Sequence, residues 1–94
     1  MIVRVLGEGQ YEIDDTHTEL LNGLDSGLER AVESGDEEAF RSALAELLAQ
    51  VRTIGERLPD DSLEPSDAAL PDETSSLEEV RMLLADSSEG LIPG

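Results

Sequence analysis

Three groups of residues in this 94-residue chain have types or spacings that chemistry could use. The first is Gly7-Glu8-Gly9, a G-x-G behind the β-branched stretch "IVRVL" at residues 2–6. Glycines after a strand can cradle phosphate when a helix opens directly behind them, because its free N–H groups face the anion. Here "QYEID" follows instead, with Tyr11 and Ile13 alternating against Gln10 and Glu12 in the period of a second strand. The third glycine of the dinucleotide fingerprint is replaced by Glu12, and the Gly-Lys-Ser/Thr of a P-loop is missing. The glycines therefore read as a hairpin turn, where they supply the positive φ that a tight connection needs.

The second group is His17 among Asp14, Asp15 and Glu19. Imidazole with carboxylates can ligate Zn²⁺ or Mn²⁺. One histidine and no cysteine make an incomplete closed site, and acids at a helix start are already accounted for by capping and the helix dipole. The third group is the carboxylate pairs Glu37-Glu38 and Glu78-Glu79, with Ser26, Ser34 and Ser42. Adjacent residues on a helix point apart, so neither pair forms an acid–base couple. A hydrolase triad would have only His17 as its base. No catalytic residue, cofactor or metal site is assigned.

Charge narrows the partners. Asp and Glu number 23 against six cations, all of them Arg, for a net charge of −17. Affinity for DNA or RNA rests on cations meeting phosphates, and docking on anionic lipid has the same requirement. Both are disfavoured. No apolar run approaches the roughly 20 residues that span a bilayer, so no direct membrane insertion is expected. "MIVRVL" lacks the form of a signal peptide, and the lack of Cys fits a reducing cytoplasm. The expected location is cytoplasmic. A Lys-free, acid-rich composition reads as halophilic, since near 1 M salt the Debye length shrinks to about 3 Å. The alternative is an acidic surface shaped for a partner.

The elements that must position these residues follow from pattern. Residues 1–14 form a β-hairpin. An antiparallel αα-hairpin spans 15–58. Its first helix starts near Thr16, with Thr16-x-x-Glu19 as a capping box, and carries a stripe of Leu20, Leu21, Leu24, Leu28, Ala31 and Val32. Gly23 and Gly27 weaken that helix by about 1 kcal/mol each, unless they admit a close neighbour. Gly35 and Asp36 end one helix and cap the next. The second helix carries Ala39, Phe40, Ala43, Leu44, Leu47, Leu48, Val51, Ile54 and Leu58, and Pro59 ends it. Residues 59–74, with Pro65 and Pro71, read as an extended arm able to add a short edge strand. Residues 75–94 are a short C-terminal helix, capped by Ser75 or Ser76, and a tail. The class is α+β in a single domain, 1–94.

The opening "MIVRVLGEGQY", the acidic helix start "SGDEEAFRSALAELL", "LPDDSLEPSD" and the closing "EGLIPG" resemble the PspA-associated protein family, PspAA. Its members are small proteins of archaea and actinobacteria, typically encoded with a PspA-type coiled-coil protein of membrane stress. The resemblance covers the whole chain and suggests a haloarchaeal member. It implies a non-enzymatic adaptor in the envelope stress response, with a PspA-type protein as partner, reaching the membrane periphery only through it. A direct membrane-stress sensor and a small metal-dependent enzyme are the alternatives. The expected partner-binding segments are the hairpin tip (Gly7, Glu8, Gly9, Gln10 and Tyr11) and the tail residues Leu91 and Ile92.

Overall fold

The computed structural model describes residues 1–61 and 63–85. Strand β1 (Ile2–Val5) and strand β2 (Gly9–Glu12) form the hairpin. Their antiparallel register sets Val3 opposite Tyr11 and Arg4 opposite Gln10. The turn closes with the Glu8 N–H donating to the Val5 carbonyl at 3.0 Å, and Gly7 takes a φ of +81° that a side chain would resist.

Asp14 caps a single 3-10 turn (Asp15–His17) by accepting from the Thr16 N–H at 2.9 Å. Helix α1 (Thr18–Ser34) begins after it. The expected Thr16 capping box is thus replaced by an Asp14 cap two residues earlier, which serves the 3-10 turn, and α1 itself starts at Thr18 with no side-chain cap. Along α1 the buried line runs Leu21, Asp25, Leu28 and Val32, with Ala31 beside it. Leu21, Leu28, Ala31 and Val32 of the expected stripe are buried, whereas Leu20 is exposed, Leu24 is only half-buried, and Asp25 takes a buried place on that face. Gly35 closes α1 at a φ of +73°, and the Asp36 side chain caps helix α2 (Glu37–Ile54) by accepting from the Ala39 N–H at 3.1 Å. Phe40, Leu44, Leu47, Leu48 and Val51 line the buried face of α2.

The second helix ends at Ile54, short of the expected Leu58. Gly55 has an extended backbone (φ −89°, ψ 156°), and Glu56–Arg57 forms strand β3, antiparallel to β2. A Cβ on Gly55 would stand 2.6 Å from the Val51 carbonyl oxygen and 3.0 Å from the Tyr11 Cβ. The chain turns there because only glycine fits against the sheet. Leu58 continues the strand by donating its N–H to the Gln10 carbonyl at 2.9 Å.

The arm adds the anticipated edge strand: β4 (Ala68–Leu70) pairs in parallel with β1. The sheet order is β3-β2-β1-β4. Helix α3 (Leu77–Ala85) starts at Ser76, whose hydroxyl accepts from the Glu79 N–H at 3.1 Å and donates to the Glu79 carboxylate at 3.3 Å. Leu77 and Val80 dock it against the rest. Val3, Val5, Ala68 and Leu70 project from one sheet face into a core shared with α1, α2 and α3. The architecture is α+β, with an N-terminal hairpin that two later short strands extend, a long helix pair and a short last helix. Among the described residues the glycines of α1 admit no close neighbour: a Cβ on Gly23 or Gly27 would meet none of them within 4 Å.

Candidate interaction site at the hairpin tip

The β1–β2 turn is held by three segments distant in sequence. Arg52, in the last turn of α2, donates to the Glu8 carboxylate twice, from Nε at 3.0 Å and Nη2 at 2.7 Å. Its remaining nitrogen, Nη1, pairs with Glu73 on the arm. The Tyr11 hydroxyl also donates to Glu8. Arg57 donates from Nη2 to the Glu8 carbonyl at 2.7 Å and reaches Asp60 at 3.3 Å. A Cβ on Gly9 would lie 3.2 Å from that Nη2, so the glycine lets the guanidinium settle on the turn. One arginine thus ties the turn, the helix end and the arm together, and a second anchors the turn backbone.

The electrostatics follow from these bonds. Donation from Arg52, and then from Tyr11, holds the Glu8 carboxyl down to about 2. Donation to Glu8, with burial second, raises the Tyr11 phenol. Glu8 is ionised and Tyr11 protonated throughout the neutral range, so this pair exchanges no proton there. The cluster acts as a structural lock. Nearby, Thr74 and Ser75 hold the Asp72 carboxyl low as it caps the turn ahead of α3.

Of the expected partner-binding residues, the structure brings Gly7, Glu8, Gly9, Gln10 and Tyr11 together at the tip. Their exposure is uneven. Tyr11 is only 7% exposed, packed in the core beneath the turn. Gln10 is buried under the arm, its Nε2 donating to the Glu64 carbonyl at 2.7 Å and to the Ser66 hydroxyl at 2.8 Å. Gly7 is exposed, while Glu8 and Gly9 are half-buried. Leu91 and Ile92 lie outside the described residues. A cleft of about 270 Å³ opens beside the tip, lined by Arg4, Gly7, Gly9, Gln10, Pro59 and Asp60 among others.

The other groups with chemical potential are spread out. The acids near His17 are engaged locally: Asp14 caps the 3-10 turn, and Asp15 lies 3.5 Å from the amine of Met1. Among the described residues no group of three or more His, Cys, Asp or Glu side chains is placed to hold a metal ion. Glu37 lies 3.8 Å from Arg41, and Ser34 donates to the Ala31 carbonyl at 3.0 Å.

Sequence reasoning identified the tip but missed Arg52, Arg57, Asp60 and Glu73 as its partners. One signal was available. In a chain with 23 acids and six arginines, each guanidinium gathers carboxylates around it, which marks Arg52 and Arg57 as hubs without saying which acids they hold.

Sheet, helix pair and salt-bridged turn define a small two-layer α+β domain with an ionic lock at one end. The chain belongs to the PspA-associated protein family, PspAA, whose family model matches residues 1–94. No curated protein and no solved structure matches it. Among the described residues no helix is long and apolar enough to cross a membrane.

Proposed function

We propose that this chain is a non-enzymatic accessory protein that binds a PspA-type coiled-coil protein and acts with it in the envelope stress response. The observation that carries this reading is the family match over residues 1–94. Charge supports it. The exposed faces of α1 and α2 carry Glu29, Glu33, Glu37, Glu38 and Glu46, which suit a basic stretch of a helical partner and repel nucleic acid and anionic lipid. On this reading the protein works in the cytoplasm and reaches the membrane periphery through its partner. The hairpin tip and the tail residues Leu91 and Ile92 are the contact segments, with Tyr11 serving from below by holding Glu8 in place. Co-purification of the chain with a PspA-type protein of the same organism tests the reading. A stable complex is expected at the ionic strength of the host cytoplasm. Separate elution of two folded proteins would defeat it.

The net charge of −17 we read as adaptation to a salty cytoplasm. Carboxylate repulsion is screened when the Debye length falls to about 3 Å near 1 M salt. The thermal midpoint of the isolated chain should therefore rise steadily from dilute buffer to about 2 M KCl. A flat or falling midpoint would leave the acidity as a partner-recognition feature alone.

A further inference from the structure

We propose that residues 63–67 of the arm form a polar-latched strap that lifts off the sheet while the core stays folded, and that lifting it opens the hairpin tip fully to the PspA-type partner. The second half rests on the function proposed above; the first does not.

The strap is fastened at two points, both polar. Gln10, opposite Arg4 on the outer face of the sheet, donates from Nε2 to the Glu64 carbonyl at 2.7 Å and to the Ser66 hydroxyl at 2.8 Å. Asp67 donates its N–H to the Ile2 carbonyl at 2.7 Å, and its carboxylate accepts from the Ile2 N–H at 2.8 Å. No buried apolar side chain reinforces these bonds. Every described residue from Pro59 to Asp67 is exposed, and Leu63, at 97% exposure, adds no anchor. The ends of the arm are held differently. Before it, Leu58 is half-buried and donates its N–H to the Gln10 carbonyl. After it, Ala68 and Leu70 enter the core.

What replaces a fastening decides its strength. A hydrogen bond near the surface is exchanged for bonds to water at small net cost, whereas apolar burial has no substitute in water. Lifting the strap forfeits no apolar burial and returns backbone freedom to the segment. Gln10, only 5% exposed under the strap, regains water for its amide. The strap is therefore a low-stability unit on a more stable body. It also covers one residue of the proposed contact segment. Gly7 is exposed and Glu8 and Gly9 are half-buried, but the Gln10 amide is occupied while the strap is closed. A closed strap thus competes with a partner for Gln10, and apparent affinity falls with the fraction of chains that are open.

Two measurements test this. Amide hydrogen exchange on the full chain at graded denaturant reads the strap alone. The Asp67 N–H should be protected at least tenfold less than the Leu47 and Leu48 N–H groups of α2, through an opening that denaturant barely affects. Equal protection with equal denaturant dependence would show that the strap opens only on global unfolding, and would overturn the proposal. The second measurement compares the affinity of the wild type and of Ser66→Ala/Asp67→Ala for the PspA-type protein, with exchange and thermal midpoints recorded for both. The variant removes two latch acceptors and leaves the tip unaltered. It should exchange faster at position 67, keep the thermal midpoint within a few degrees, and bind severalfold tighter. Unchanged exchange would overturn the latch. Faster exchange with unchanged or weaker affinity would overturn the gating and leave the function standing. If the wild type itself does not bind, the function fails and the gating with it, while exchange still decides whether the strap opens.

Discussion

At the junction of α2 with the sheet, a Cβ on Gly55 would stand 2.6 Å from the Val51 carbonyl oxygen, 3.0 Å from Tyr11 Cβ and 3.2 Å from Ile13 Cγ1. On α1, a Cβ on Gly23 or Gly27 would meet nothing within 4 Å among the described residues, and neither glycine has a positive φ. The junction is where segments distant in the chain converge, with Tyr11 and Ile13 on one side and Val51 to Arg57 on the other. Glycine is a packing requirement there. On α1 it meets no steric or conformational need set by the described residues and lowers the intrinsic stability of the helix. The same residue type thus marks the most constrained and the least constrained positions of the molecule, and only the long-range neighbours tell them apart.

The largest effect expected from this contrast is at the junction. Gly55→Ala should destabilise the chain by about 1–3 kcal/mol, the usual range for forcing a methyl group into a filled site. For a domain of this size that lowers the thermal midpoint by roughly 4–8 °C per kcal/mol. An unchanged midpoint would mean that the helix end can shift away from the sheet, and the junction would not be the constrained region described.

A smaller effect belongs to the ionic lock beside it. Glu8→Gln removes the charge that Arg52 holds and should cost about 1–2 kcal/mol at neutral pH, between the values for an exposed and a buried pair. The pH dependence has a defined sign. The folded state lowers the Glu8 carboxyl from 4.5 to about 2, so the unfolded chain binds the proton more readily. The stabilisation from Glu8 is fully present above about pH 5 and fades as the pH falls toward 2. Melts of the wild type and Glu8→Gln should therefore differ most near neutrality and converge in acid. A difference that stays constant from pH 7 to 3 would separate the lock from the ionisation of Glu8.

The pattern of legibility follows the same division. The hairpin turn at Gly7, the α1 stop at Gly35, the Asp36 cap and the Ser76–Glu79 start of α3 are set by residues within three or four positions of one another. Each was readable because its cause is local. The end of α2 was not, since Leu58 continues the helical apolar period while the chain leaves the helix at Gly55 to pair with β2, a partner more distant in sequence than any local signal reaches. Strand β3 escaped notice for the same reason, having two residues and no alternation of its own. The tip residues 7–11 could be located by their glycines and their strand periods. The inward placement of Tyr11 and the burial of Gln10 depend on Glu8, Arg52 and the arm, which no spacing in the sequence connects.

The smallest effects test the open side of the contrast and carry opposite signs. Gly23→Ala adds a methyl group where nothing stands within 4 Å among the described residues, in the interior of α1, at a φ that alanine accepts. The gain is the helix propensity difference, about 0.5–1 kcal/mol of added stability, which arises mostly by restricting the unfolded chain. Gly35→Ala is its control. It also meets empty space, but at a φ of +73°, so the methyl group strains the backbone and should cost roughly 1 kcal/mol. The two substitutions add the same atom to equally open surroundings and differ only in backbone conformation. Opposite shifts of the thermal midpoint would show that conformation alone decides the sign where packing is absent. A loss of stability in Gly23→Ala would mean that α1 in solution has a neighbour against Gly23, and the open region would then have to be counted with the crowded one.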